Sequence, residues 1–262
     1  MGMNRVLVAQ AAKGLADYIL RFDASSPSIV IGYDGRKNSD VYAKDTAEIM
    51  AAAGIETLLL PRMMPTPILA FAIRHFNTTA GIMVTASHNP AQDNGYKIYL
   101  GKQHGGGQIV PPADKEMAQY IDRVFATPIT EFPRSSDYRI LDDEVVNAYI
   151  AQVASLAVAP ECDLNYVYTA LHGVGKEVLL KTLAAARLPL PHIVAEQAEP
   201  DAYDARFKQW RLEDLPIVPQ KWQLIPKKET YKQLKTVEKL VQQADILVNA
   251  GDPDREGQLL VD

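Results

Sequence analysis

Two clusters of residues in this 262-residue chain have types and spacing that could do chemistry. The first is Thr85-Ala86-Ser87-His88-Asn89-Pro90, directly after the apolar run Gly81-Ile82-Met83-Val84. That order places a serine hydroxyl just beyond the carboxyl end of a strand, where open α/β sheets bind their ligands. His88, Asn89 and the turn-forming Asn89-Pro90 pair would hold the hydroxyl outward on a tight loop. Lys97 follows ten residues later and can supply positive charge near the same rim. A serine among cationic and hydrogen-bonding groups suits covalent phosphoryl carriage, which is mostly positioning and charge neutralisation. On residue types alone a plain polar loop is the competing reading.

The second cluster is Gly251-Asp252-Pro253-Asp254-Arg255-Glu256-Gly257. Asp252, Asp254 and Glu256 are carboxylates at i, i+2 and i+4, a grouping of hard oxygen ligands that suits Mg²⁺. A metal there could stabilise charge on a transferring phosphoryl group. The alternative is an acidic turn that opens a helix, with carboxylates at its positive end.

The elements that must carry these clusters alternate between strand and helix. Ser28–Tyr33 reads as a buried strand ended by the turn Asp34-Gly35-Arg36. Ser39 is expected to cap a helix that runs to Ala53 and stops at Gly54. Strands follow at Glu56–Leu60, Ala80–Thr85 and Tyr96–Leu100, and Pro65-Thr66-Pro67 opens a helix between the first two of these. Helices are expected at Asp114–Phe125, Val145–Val158 and Glu177–Ala186, around a proline-bearing linker at Thr127–Pro133 and a strand at Tyr166–Thr169. A last helix, Thr230–Ala244, leads into a strand at Asp245–Ala250. This alternation predicts an α/β fold with a mainly parallel sheet.

Composition narrows the class. Hydrophobic residues make up 47% and charged residues 23%, ordinary globular values that exclude a disordered or collagen-like chain. One cysteine, Cys162, cannot form an intrachain disulfide and fits a reducing compartment. With no long apolar run and no basic-then-apolar start, a cytoplasmic protein with no membrane partner is expected. Charge is uneven along the chain. Residues 1–202 hold 17 Lys and Arg against 22 Asp and Glu, whereas residues 203–262 balance at 10 each. Both tryptophans, Trp210 and Trp222, lie in the second stretch, so the chain reads as two materials joined near residue 200.

Val84-Thr85-Ala86-Ser87-His88-Asn89-Pro90, with Asn94-Gly95-Tyr96-Lys97 behind it, closely resembles the active-site loop of the α-D-phosphohexomutases, which include phosphomannomutase and phosphoglucomutase. The resemblance runs over about residues 4–202. It includes Gly32-Tyr33-Asp34-Gly35-Arg36 and Tyr168-Thr169-Ala170-Leu171-His172-Gly173-Val174-Gly175. It implies that Ser87 cycles through a phosphoserine, also serves as one Mg²⁺ ligand, and exchanges phosphate with a hexose phosphate substrate and a hexose bisphosphate activator. Lys97 would assist the transfer, His88 and Asn89 would shape the loop, and Arg36 and His172 would structure their turns. The family's opening arginine-bearing segment and its third and fourth domains have no counterpart here, so complete turnover is not expected.

Residues from about Gln197 to Asp262 resemble the early Toprim region of DNA topoisomerase III, a type IA enzyme. In that resemblance Asp252, Asp254 and Glu256 are the metal-loop carboxylates. The lysine-rich helix would make at most a weak DNA contact, with no strand passage. The expected organisation is a phosphohexomutase first domain over residues 1–140 and the start of a second over 141–202. A partial Toprim-like unit would follow over 203–262, two coding sequences being joined between Glu196 and Ala202.

Overall fold

A computed structural model of the chain describes residues 3–87, 89, 90, 92–158, 167, 168, 170, 173–193, 235, 239 and 242. The chain divides into two compact units, Met1–Ala157 with Gly173–Ala186, and Val158–His172 with Arg187–Asp262.

The first unit opens with a helix that the strand-helix reading does not assign, α1 (Arg5–Phe22). Asn4 caps it, its side-chain oxygen accepting from the backbone N–H groups of Val6 and Leu7 at 3.0 and 3.1 Å. Val8, Ala12, Leu15, Ala16 and Ile19 recur at helical spacing and are all buried. Then come β1 (Ser28–Tyr33), α2 (Ser39–Ala52), β2 (Glu56–Leu59), α3 (Thr66–His75) and β3 (Ala80–Val84). These match the expected elements to within a residue or two. One detail differs: Asn38, in the left-handed region at φ 65°, is the N-cap of α2, and Ser39 is its first helical residue.

The remaining elements of this unit are β4 (Tyr96–Leu100), β5 (Gly107–Gln108), α4 (Ala113–Val124), β6 (Arg139–Ile140), α5 (Glu144–Ala154) and α6 (Lys176–Ala185). The six strands form one sheet in the order β5-β4-β3-β1-β2-β6. β3, β1, β2 and β6 are parallel, whereas β4 pairs antiparallel with β3 and β5 antiparallel with β4. The α/β fold with a mainly parallel sheet is therefore present. The reversal at β4 has a simple cause: the described residues between Val84 and Tyr96 carry no helix to return the chain for a parallel pairing.

Two apolar layers clamp the sheet. Ile29, Ile31, Ile82 and Val84 face α1, α2 and α4. Val30, Leu58, Met83 and Tyr99 face α3, α5 and α6 on the other side. At Gly14 the contact of α1 with α4 leaves no room for a side chain, since a Cβ would lie 2.5 Å from Ile121 Cα and 2.7 Å from its nitrogen. Gly14→Ala is expected to push the helices apart. Overpacking costs about 1–3 kcal/mol, and the better helix propensity of alanine returns about 1. A thermal melt should show a Tm lower by about 4 °C.

Of the second unit, two short strands are described, β7 (Val167–Tyr168) and β8 (His192–Ile193), paired in parallel. Residues 235 and 239 are helical, within the span expected for the lysine-rich helix. Among the described residues no helix is long and apolar enough to cross a membrane.

Candidate active site

The chain leaves β1 toward β2 on one side through α2, then returns past β1 through α3 to reach β3 on the other side. Successive helices thus lie on opposite faces of the sheet, and the carboxyl ends of β1 and β3 form a topological switch point. Such points are where open α/β sheets bind ligands. Two loops meet here, Asp34 to Asn38 after β1 and Thr85 to Gly95 after β3.

Ser87 lies on the second loop, exposed, at φ 58°. Its backbone N–H donates to Thr85 Oγ1 at 2.9 Å, a local bond that turns the chain as it leaves the strand. The left-handed backbone is uncommon for a residue with a side chain and is held here by the surrounding contacts. The Asn89 N–H donates to Ala86 O at 3.0 Å, and the Asp93 N–H to Pro90 O at 2.9 Å. The loop is therefore two successive tight turns with the serine at the outer edge of the first.

Arg36 reaches across from the first loop and takes hold of the second. Its Nη2 donates to Ser87 O and Asn89 O, both at 2.7 Å. Its Nη1 donates to Pro90 O at 2.7 Å and Asp93 O at 3.1 Å. The Nε side pairs with the Asp34 carboxylate at 3.4 Å. Asp34 Oδ1 in turn accepts from the Arg36 backbone N–H at 3.0 Å and from Ser39 Oγ at 2.8 Å.

A second tie runs through Asn94. Its Nδ2 donates to Ser39 Oγ at 2.8 Å and Lys37 O at 3.2 Å, while its Oδ1 accepts from the Gly95 N–H at 2.8 Å. The Thr85 N–H then donates to Gly95 O at 3.0 Å, closing the base of the loop. A Cβ at Gly95 would lie 3.1 Å from Thr85 O, so the base is also tight.

Lys97 lies on β4 opposite Met83, half-buried, on the sheet face shared with Tyr99. No hydrogen bond or ion pair engages its ammonium among the described residues, which leaves that charge available. Asn89 is exposed on the Ser87 loop and contributes its carbonyl to Arg36. The structure thus brings Ser87, Asn89 and Arg36 together. His88, His172, Asp252, Asp254 and Glu256 lie outside the described residues. Asp34, Ser39 and Asn94 were not singled out as site residues. The sequence signals for them are the Asp34-Gly35-Arg36 turn, the helix-capping position expected for Ser39 and the Asn94-Gly95-Tyr96-Lys97 run behind the serine loop.

No group of three or more His, Cys, Asp or Glu side chains among the described residues could hold a metal ion. Of the Mg²⁺ ligands expected from the sequence, only Ser87 falls within them.

Residues 1–127 match the family described as phosphoglucomutase/phosphomannomutase, alpha/beta/alpha domain I. The chain carries a phosphomannomutase-type domain. Over 201 residues, 77% of the chain, it is 68% identical to a Haemophilus influenzae protein named "Probable phosphomannomutase". The fold of this domain is shared with a Thermus thermophilus crystal structure described as a "putative phosphomannomutase", at a TM-score of 0.61 and 25% identity, covering 74% of this chain and 43% of that one. A different stretch of 67 residues, 26% of the chain, is 79% identical to DNA topoisomerase 3 of Pasteurella multocida. The two matched stretches cover slightly more than the whole chain between them, so they overlap by a few residues. The chain spans 41% of the length of the Haemophilus relative and 10% of the topoisomerase.

Proposed function

We propose that the phosphomannomutase-type domain carries phosphate on Ser87, exchanging it with a hexose phosphate by way of a hexose bisphosphate. The observation that carries this reading is the placement of an exposed serine, at φ 58°, on a doubly tied loop at the switch point of the sheet. In the transfer onto the protein, Ser87 Oγ attacks the phosphorus of the bisphosphate. The sugar oxygen leaves with the bonding pair, and the hydroxyl proton passes to solvent or to a neighbouring base. Return of the phosphate to a sugar hydroxyl reverses each bond change. Lys97, on the adjacent strand, is assigned the balancing of charge on the transferring group. Asn89 and Arg36 are assigned to the loop, and by resemblance so are His88 and His172. Mg²⁺ belongs to this reading through the resemblance, where it would neutralise phosphoryl charge with Ser87 as one ligand. A cytoplasmic setting fits the use of phosphorylated sugars.

The test is direct. The full chain incubated with glucose 1,6-bisphosphate should gain one phosphate by intact mass, and peptide mapping should place it on Ser87. A chain whose mass does not change, or whose phosphate maps to another residue, sinks the reading.

A second reading applies to the last sixty or so residues, because 67 residues match topoisomerase 3 at 79% identity. Asp252, Asp254 and Glu256 would form a Toprim-type metal loop there. We propose that two unrelated coding sequences meet between Glu196 and Ala202, a reading supported by the two matched stretches together exceeding the length of the chain. The proposed organisation is a phosphohexomutase first domain over 1–140, the start of a second over 141–202 and the Toprim-like segment over 203–262. Any DNA contact would run through the lysines of residues 221–239 and would be electrostatic. A gel shift with single-stranded DNA should then weaken steeply between low and physiological salt. A shift that is absent at low salt, or indifferent to salt, removes DNA from the account.

A further inference from the structure

The Arg36 guanidinium has five N–H donors in a rigid planar fork, and nothing else in the side-chain repertoire offers that set. Four of them donate to the carbonyl oxygens of Ser87, Asn89, Pro90 and Asp93 at 2.7–3.1 Å, and the Nε side is ion-paired with the Asp34 carboxylate at 3.4 Å without a hydrogen bond. A hydrogen bond given by a charged donor is roughly twice as strong as a neutral one. Four carbonyls converging on one point would also repel each other without a cation among them. The cation is thus part of the loop's own structure. Asp34 fixes the fork from behind, and Ser39 and Arg36's own backbone N–H fix Asp34.

We propose that Arg36 is the positioning residue of this site: it sets the backbone from which Ser87 presents its hydroxyl, and it makes no contact with the sugar phosphate. The inference rests on the reading of Ser87 as the phosphoryl carrier. Commitment of both Nη groups separates this role from that of a substrate ligand, because a guanidinium whose four Nη donors are all engaged has neither of those groups to turn toward an incoming phosphate. Lysine cannot substitute, since its three donors radiate from one point and cannot span four carbonyls. Positioning acts on the rate of transfer. A misplacement of about 1 Å at a reacting atom costs on the order of 100-fold.

The experiment compares wild type, Arg36→Lys and Arg36→Ala in the full chain, following phosphate uptake by intact mass at several concentrations of glucose 1,6-bisphosphate. Both variants should slow uptake about 100-fold, with the half-saturating concentration unchanged. Millimolar guanidinium should restore part of the rate to Arg36→Ala, and methylammonium should not. A loss under about threefold overturns the proposal. So does a loss that appears wholly as weaker saturation, which would make Arg36 a substrate ligand.

Amide hydrogen exchange over residues 86–95 provides the arm that is independent of phosphate chemistry. Exchange should quicken there in Arg36→Ala while the core strands keep their protection. Unchanged exchange overturns the clamp. If wild type takes up no phosphate but exchange responds as described, the reading of Ser87 fails while the assignment of Arg36 to the loop's conformation stands.

Discussion

A chain carrying Ser87→Ala is expected to stay folded and to take up no phosphate from glucose 1,6-bisphosphate. Alanine removes the only side-chain oxygen at that position. The nearest hydroxyl in sequence, Thr85 Oγ1, accepts from the Ser87 backbone N–H and sits at the root of the loop, not at its edge. That bond and the bond from Arg36 to Ser87 O both use backbone atoms, so both survive in the variant. The fold should lose little, because serine already bears the steric cost of a side chain at φ 58°. Ser87→Gly makes the companion variant. It relieves that cost, about 1–2 kcal/mol, and should melt at or slightly above wild type while remaining equally inert to phosphate. The measurement is intact mass after incubation, with a thermal melt of each variant beside it. One phosphate on the alanine variant would move the chemistry to another residue.

The second large effect is expected at Asp45, on α2. Its side chain is 3% exposed, yet it carries charge. Arg5 meets it in a two-pronged pair, Nε to Oδ2 and Nη2 to Oδ1, both at 2.7 Å, and Arg134 adds a third bond at 2.6 Å. Arg134 also bonds Glu48 at 2.9 Å. One carboxylate therefore joins the start of α1, the middle of α2 and the segment that follows α4. The next residue, Thr46, hydrogen-bonds the hydroxyl of Tyr96 on β4, which links the same turn of helix to the strand bearing Lys97.

Removing one partner of a buried pair costs about 3–5 kcal/mol. Arg5 and Arg134 both reach solvent, so the figure is discounted to about 3 kcal/mol for Asp45→Ala. A chemical or thermal melt reads it, and a loss below about 1 kcal/mol would show the network to be ornamental.

The same residue governs behaviour in acid. Burial raises the Asp45 pKa, and the hydrogen bonds from Arg5 and then Arg134 outweigh it, so the carboxyl lies below its usual range. Asp23 lies further below, held first by Lys102 and then by Thr79. A carboxyl depressed in the folded state contributes its full stability above the unfolded pKa, about 4 for aspartate, and loses it as pH falls through the folded value. Stability of the first unit should therefore be flat in these two terms above about pH 5 and should fall below about pH 4. The Asp45→Ala chain should show a shallower acid decline than wild type.

Local pattern made much of this fold legible. The strand at Ser28–Tyr33 and the strand at Ala80–Val84 are apolar runs bounded by turn residues, and each formed where expected. α1 is a helix the strand-helix reading left out although its cap Asn4 and the stripe Val8, Ala12, Leu15, Ala16 and Ile19 stand in the sequence, and only the close approach of α4 accounts for Gly14 in its middle. The short strands at Gly107–Gln108 and Arg139–Ile140 have no pattern of their own and exist because an edge was available to pair with. In the site, Ser87 was legible from its motif and from the strand before it. Arg36 was legible as a turn residue, but its hold on four carbonyls some fifty positions away was not.

By itself the sequence determined which residue types stand at the ends of which strands: a serine after the third, an Asp-Gly-Arg turn after the first, a lysine on the fourth. It also carried the compositional shift near residue 200 on which the proposed junction rests. Only the tertiary structure decided that the first and third strands lie side by side, because strand order follows from which face each crossover helix can bury. That adjacency sets Arg36 against the Ser87 loop, since the carbonyls that complete its fork come together only once the two loops share one end of the sheet.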